Sequence, residues 1–176
     1  MAIRESLLAV LADGPAHGFA LKKAFEERTG GLWQLNVGQV YTTLGRLSRD
    51  GCVEESAQGD DGQKEYRITD AGRAELADWY RTPRERTVPD RDDVVIKLAM
   101  ALGGDSVDAF AVIDEQRQVT MAALQALTRR TARLDPGDLG ARLSFDAAAA
   151  AIEAELRWLD HCEELLLAQR SRKGGV

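Results

Sequence analysis

The sequence predicts a mainly α-helical protein with one small β-hairpin, divided into an N-terminal and a C-terminal helical half. Three observations predict it. Apolar residues recur at helical spacing through most of the chain. The stretch from Cys52 to Thr69 instead reads as two short strands around Gly59-Asp60-Asp61-Gly62, where Asp-Gly is a strong hairpin signal. The segment from Thr82 to Arg91, TPRERTVPDR, holds two prolines and little apolar content and reads as a linker. The expected boundaries are therefore residues 1–81, a linker over 82–91, a second domain over 92–170 and a frayed tail over 171–176. A chain of 176 residues with 44% hydrophobic content has room and material for two small cores.

The first helix is expected from Ile3 to Ala12, with Ile3, Leu7, Val10 and Leu11 on one face. Gly14-Pro15 ends it. A second helix, from His17 to Thr29, places Leu21, Ala24, Phe25 and Arg28 on a face and turns Lys22 and Lys23 elsewhere. Asn36 can cap a third helix while Gln39 reaches back toward it, and Gly51 supplies the stop. In that helix Val40, Leu44 and Leu47 fall on one buried stripe. Gln39, Thr42, Gly45, Arg46 and Arg49 are left on the open face, with Tyr41 beside them. Such a face, rich in hydrogen-bonding groups and free of carboxylates until Asp50, suits a DNA major groove.

The hairpin follows, with Cys52 to Ala57 and Lys64 to Thr69 as strands. Val53, Tyr66 and Ile68 face inward, and Lys64 and Arg67 face solvent. Lys64 stands at the tip, within reach of a phosphate or the minor groove. Thr69 then caps a helix to Tyr80, with Leu76, Trp79 and Tyr80 as anchors. Helix, helix, recognition helix, wing, helix is the winged helix-turn-helix order, so the first domain is expected to bind double-stranded DNA through Lys22, Lys23, Gln39, Tyr41, Thr42, Arg46, Arg49 and Lys64.

Three helices make the second domain. Asp92 to Leu102 carries Val95, Leu98 and Leu102 on one side, and Val107 to Leu134 carries Phe110, Ile113, Thr120, Leu124, Leu127 and Leu134. Asp135-Pro136-Gly137-Asp138 breaks the pattern before a last helix from about Phe145 to Arg170. That helix has one stripe of Ile152, Leu156, Leu159 and Leu166 and a neighbouring one of Trp158, Cys162 and Leu165. Three helices alone bury only part of so much apolar surface. The economical solution is a homodimer whose seam runs through Ile152, Leu156, Leu159 and Leu166. Trp158 near such a seam, and Phe110 on the preceding long helix, are the candidate contacts for a planar aromatic effector.

Composition limits the function classes. With 23 Lys and Arg against 29 Asp and Glu, the net charge is −6, and the pI is about 5.0. DNA-binding domains are usually basic, so this balance opposes the DNA reading. Screening nonetheless confines charges to about 8 Å at physiological ionic strength, and a local basic face works on an acidic protein. Weak non-specific binding and a reliance on dimeric avidity are the consequence. Cys52 and Cys162 lie far apart with no Cys-x-x-Cys partner, so neither a disulfide nor a metal site is expected, and no cofactor is implied. His17 fits a helix start better than a ligand, and His161 beside Cys162 points about 100° away from it. The sequence has no Gly-x-Ser-x-Gly, phosphate loop or His-Glu-x-x-His, and the expectation is no enzyme. No apolar run approaches the ~20 residues a bilayer requires, so a cytoplasmic protein is expected. The rival reading is a winged-helix protein-interaction module without DNA binding, and salt-dependent duplex binding separates the two.

The motifs HGFALKK (residues 17–23), GGLW (30–33), GQVYTTLGRLSRDG (38–51) and YRITDAGR (66–73) together resemble the PadR family of transcriptional regulators. DDVVIKL (92–98) and ELRWLD (155–160) are similar to the members with a long C-terminal helical dimerisation domain. The resemblance spans almost the whole chain. It implies a homodimeric repressor that reads a pseudo-palindromic operator and is released by a small molecule, often a phenolic acid or a drug-like compound. It also implies a DNA contact for Tyr41 and a basic wing at Lys64. Two positions depart from the family pattern. Phe19 replaces a usual tyrosine, and Gly45 stands where a larger polar residue is common.

Overall fold

A computed structural model describes residues 3–56, 64–84, 92–103 and 107–173. Seven helices and three strands occur among these residues. In order they are α1 (Ile3–Leu11), β1 (Ala16–His17), α2 (Gly18–Arg28), α3 (Val37–Arg49), β2 (Val53–Ser56), β3 (Glu65–Ile68), α4 (Asp70–Arg81), α5 (Asp93–Leu102), α6 (Ala109–Thr131) and α7 (Leu139–Lys173). The expected hairpin turn at 59–62 and most of the linker lie outside the described residues. The chain divides into two compact units, Met1–Glu85 with Gly137–Ala141, and Arg86–Pro136 with Arg142–Val176.

The first unit is built on a closed apolar core. Leu7, Leu8 and Leu11 of α1 and Leu21 and Phe25 of α2 bury their side chains with Val40, Leu44 and Leu47 of α3. Val53, Tyr66 and Ile68 of the sheet and Leu76 of α4 complete it. Each fully buried leucine contributes about 1.5–3 kcal/mol by leaving water. The helix starts are fixed by short polar side chains. His17 Nδ1 accepts from Ala20 N at 3.2 Å and Thr69 Oγ1 accepts from Gly72 N at 3.2 Å. His17 thus starts α2, as its place in the sequence suggests.

The expected hairpin is part of a three-stranded antiparallel sheet in the order β1-β3-β2. β2 pairs with β3 in the register Val53 to Ile68 and Glu55 to Tyr66, and β1 adds Ala16 to Tyr66 and His17 to Glu65. A two-residue strand carries no periodicity, so β1 has no sequence signal. A second correction concerns α4. Leu76 is buried, but Trp79 and Tyr80 are 37% and 69% exposed and meet each other in a tilted ring contact, centroids 4.8 Å apart, instead of anchoring the core.

In the second unit Leu98 of α5, Ile113 of α6 and Leu159 of α7 form a small buried cluster, with Trp158, Cys162 and Leu166 packed against it. Polar bonds join α6 to α7. Gln116 and the buried Thr120 both donate to Glu155 Oε1, at 2.8 and 2.9 Å, and Arg117 bonds Asp160 and Glu163. The last helix begins at Leu139, six residues ahead of the expected Phe145, because Asp138 Oδ1 accepts from Ala141 N at 3.0 Å and so caps it. No helix among the described residues is long and apolar enough to cross a membrane.

Candidate nucleic-acid interface

The third helix is held at both ends and along one side. Asn36 Oδ1 accepts from Gly38 N at 2.8 Å. The return bond expected from Gln39 is not formed, and Gln39 stays on the exposed face. At the other end Gly51 adopts φ +71°, a left-handed conformation that glycine takes without a Cβ clash. Cys52 N then donates to the Leu47 carbonyl at 2.9 Å and closes the helix. Val40, Leu44 and Leu47 are fully buried, so the rotation of α3 about its axis is set by packing.

That rotation exposes Gln39, Tyr41, Thr42, Gly45, Arg46 and Arg49 on the surface of α3. Tyr41 is held from below. A Cβ at Gly18 would lie 2.7 Å from Tyr41 Cζ and 3.1 Å from its Oη, so the HG motif that starts α2 leaves the space the ring occupies. Arg49 Nε donates to the Gly45 carbonyl at 3.2 Å. Nothing lies within 4 Å of a Cβ built at Gly45, so packing does not require glycine there, and the helix backbone is open to an approaching surface.

The remaining cations of the expected set are held by carboxylates. Lys22 pairs with Glu26 at 2.7 Å, Lys23 with Glu27 at 3.6 Å and Lys64 with Glu55 at 2.9 Å. Arg67, also on the hairpin, pairs with Glu54 at 2.5 Å. Glu26 sits below the ordinary carboxylate range, chiefly through Lys22 and then through the amide of Leu35. On α3 itself, the ionic groups facing outward are the guanidinium groups of Arg46 and Arg49. The structure therefore gathers Gln39, Tyr41, Thr42, Arg46 and Arg49 on one helix face, and sets Lys22 and Lys23 on α2 and Lys64 on the hairpin.

Arg4 is a functional candidate that the sequence does not announce. It bonds Glu75 at 2.6 and 2.9 Å, Asp50 at 2.6 Å and the Cys52 sulfur at 3.4 Å. Asp50, the first carboxylate after the exposed residues of α3, is thereby engaged by Arg4. Glu75 is held below the ordinary range foremost by its bond to Arg4, with burial opposing. The same bond raises Arg4 further above its usual value, and burial pushes the Cys52 thiol up. Arg4 also borders an open groove of about 550 Å³ lined by Ile3, Glu5, Gln39, Thr42, Thr43 and Arg46. Such contacts between residues 46 to 71 positions apart leave no local pattern in the sequence.

In the second unit a cavity of about 280 Å³ is lined by Leu98, Leu102, Ile113, Trp158, Cys162 and Gln169, among others. Trp158 is part of it. Phe110 does not line it, and the Arg170 guanidinium lies over the Phe110 ring at 4.3 Å. Of the residues expected at a dimer seam, Leu159 is fully buried within its own chain against Leu98 and Ile113 and has no surface to offer a partner. Ile152, Leu156 and Leu166 are half-buried. Among the described residues no group of three metal-ligating side chains comes together.

Residues 7–78 match the transcriptional regulator PadR-like family, and residues 91–166 match the family described as virulence activator alpha C-term. A probable transcriptional regulator of Mycobacterium tuberculosis is 28% identical, covering 97% of this chain and all of that protein. The negative transcriptional regulator PadR of Bacillus subtilis is 26% identical over 70% of this chain and 71% of its own length. The crystal structure of Bacillus subtilis PadR with operator DNA has a TM-score of 0.68 at 22% identity, covering 93% of this chain and 97% of that one. The same protein with p-coumaric acid scores 0.72 at 21% identity, with 94% and 98% covered. The Vibrio cholerae virulence activator AphA scores 0.70 at 22% identity, with 96% and 99% covered.

Proposed function

Because this chain belongs to the PadR-like family of transcriptional regulators, and so is a DNA-binding regulator and not an enzyme, we propose that it is a homodimeric repressor of a pseudo-palindromic operator, released by a small aromatic or drug-like effector. The observation that carries the DNA contact is the α3 face of Gln39, Tyr41, Thr42, Arg46 and Arg49, which is held in place by a buried stripe and offers two arginines and no carboxylate. Arginine and glutamine read purine edges in the major groove, and the hydroxyls of Tyr41 and Thr42 suit phosphate or base contacts. Lys64 on the hairpin is the wing contact.

Large apolar side chains left in solvent by the second unit support the homodimer. Met100 is 68% exposed, Val119 65% and Leu165 57%. Half-buried Ile152, Leu156 and Leu166 supply the seam. The effector is assigned to the cavity beside Trp158, where the lining is apolar and Gln169 offers an amide to orient a ligand. An effector releases DNA only if it binds the DNA-incompetent arrangement more tightly than the competent one. The resemblance of the C-terminal half to a virulence-activator family favours a second reading, in which the same contacts activate transcription. A reporter behind the chain's own promoter, with and without the protein, decides between them.

The test of the DNA reading is duplex binding over a salt series. The chain should bind an operator fragment with an affinity that falls as salt rises. Arg46→Ala and Arg49→Ala should each lower it, by about 1–3 kcal/mol at one base pair for a guanine contact, or uniformly with a salt slope smaller by about one for a phosphate contact. Unaltered binding by both variants would remove this face from the interface.

A further inference from the structure

The cations around the α3 face are not equally available, and the wing shows why. By strand alternation Val53 and Glu55 of β2 share one face of the hairpin with Tyr66 and Ile68 of β3, while Glu54 and Arg67 stand on the other. Lys64 precedes β3 in the same alternation as Tyr66 and reaches Glu55 with two contacts, at 2.9 and 3.1 Å. This pair therefore stands on the face of the hairpin that carries Tyr66 and Ile68 into the core. The Tyr66 phenol on this face is pushed up first by its burial and then by the Glu55 carboxylate, with Lys64 opposing. The Glu54–Arg67 pair is the same chemistry on the opposite face.

From this arrangement, and on the reading that the α3 face and wing bind DNA, we infer that Glu55 is an intramolecular competitor for Lys64, occupying the position a DNA phosphate would take and thereby setting the strength of the wing contact. Both side chains are well exposed, 65% for Lys64 and 49% for Glu55, so the pair is weak and opens readily. On docking, the ammonium group exchanges a carboxylate oxygen for a phosphate oxygen. The DNA phosphate gives up a condensed cation, but the freed Glu55 carboxylate attracts one, and its charge remains close to the phosphates. The lysine is therefore counted once in the sequence and close to zero in the salt dependence. An acidic protein gains from such an arrangement, because phosphate contacts supply nearly all non-specific binding.

The experiment compares Glu55→Gln, Glu54→Gln, Lys64→Ala and the Glu55→Gln/Lys64→Ala double variant in the full chain, by operator and unrelated-duplex titrations over a salt series. Glu55→Gln should tighten both duplexes about two- to tenfold and steepen the salt slope by about one. The gain should vanish in the Lys64→Ala background. Glu54→Gln changes net charge identically but should change binding much less. Equal gains from the two glutamine variants, or a gain that survives Lys64→Ala, would replace the competition with a general charge effect and overturn the inference. No gain from Glu55→Gln would overturn it too. If the unaltered chain bound neither duplex, the underlying DNA reading would fail instead, which is a separate outcome.

Discussion

The two units solve the problem of apolar surface differently. In the first, sixteen buried side chains from four helices, a sheet and the segments between them form one continuous cluster. In the second, the buried cluster is Leu98, Ile113 and Leu159, while α5, α6 and α7 leave Met100, Val119, Leu143, Leu165 and Leu167 more than half exposed. The first unit buries most of its apolar side chains within itself. The second carries surplus apolar surface that a second copy would remove from water, and the proposed homodimer rests on this difference. Polar bonds through Glu155 and Arg117 give α6 and α7 a fixed mutual arrangement despite the thin core.

The sharpest way to break the comparison is to separate the halves. Residues 1–85 should unfold cooperatively and remain monomeric, yet lose about 10²–10⁴ in operator affinity, because a tethered second reader is an avidity term that one acidic winged helix cannot replace. Gel shift and sedimentation on the same fragment check it. Tight binding by the fragment would show that the second unit does not pair the readers. Next in size are two substitutions on one helix. Leu159→Asp buries a charge in the cluster with Leu98 and Ile113 and should unfold the second unit, seen as lost helicity. Leu156→Asp, at a half-buried position, should keep the helicity and weaken the dimer. Equal loss of structure in both would mean that Leu156 too belongs to the unit's own core.

Smaller effects test how the first unit serves its face. Gly18→Ala places a Cβ against the Tyr41 ring, which can swing aside at little cost in stability. Operator affinity should fall several-fold, on the order of 1 kcal/mol, with the melting temperature nearly unchanged. Smallest is an acid effect. Glu75 is lowered in the folded unit by Arg4, so its contribution is present above the ordinary glutamate range and is lost as pH falls through the lower folded value. Denaturant titrations across that window should show stability falling with acidification by about 1 kcal/mol, a figure reduced by partial solvent exposure. Arg4→Ala should flatten the slope.

Much of this was legible in the sequence wherever a few neighbouring residues decide the outcome. Asn36 and Gly51 bound α3, and Val40, Leu44 and Leu47 fix which of its faces is free. Position along a stripe does not reveal what covers it, and for that reason Trp79 and Tyr80 read as anchors and Leu159 as seam. Asp138 reads as a helix breaker beside Pro136 and Gly137 although it is a cap, because Leu139 and Leu143 stay exposed and the first large buried side chain of α7, Phe145, comes seven positions later. Pairs that depend on register or on distant helices, such as Glu55 with Lys64 and Arg4 with Glu75, have no local signature at all.

The strand order has a further consequence, for behaviour at high concentration. β3, between two partners, shows no free edge, so the backbone groups of β1 and β2 are the ones left unpaired at the rims of the sheet. β1 is two residues long and gives a foreign strand little to lengthen. β2 places consecutive glutamates, Glu54 and Glu55, on opposite faces of its rim, so a second β2 approaching in either orientation brings carboxylates against carboxylates. A chain whose second unit leaves apolar surface in water thus offers a foreign strand little edge to extend, and the proposed homodimer would form through its helices instead.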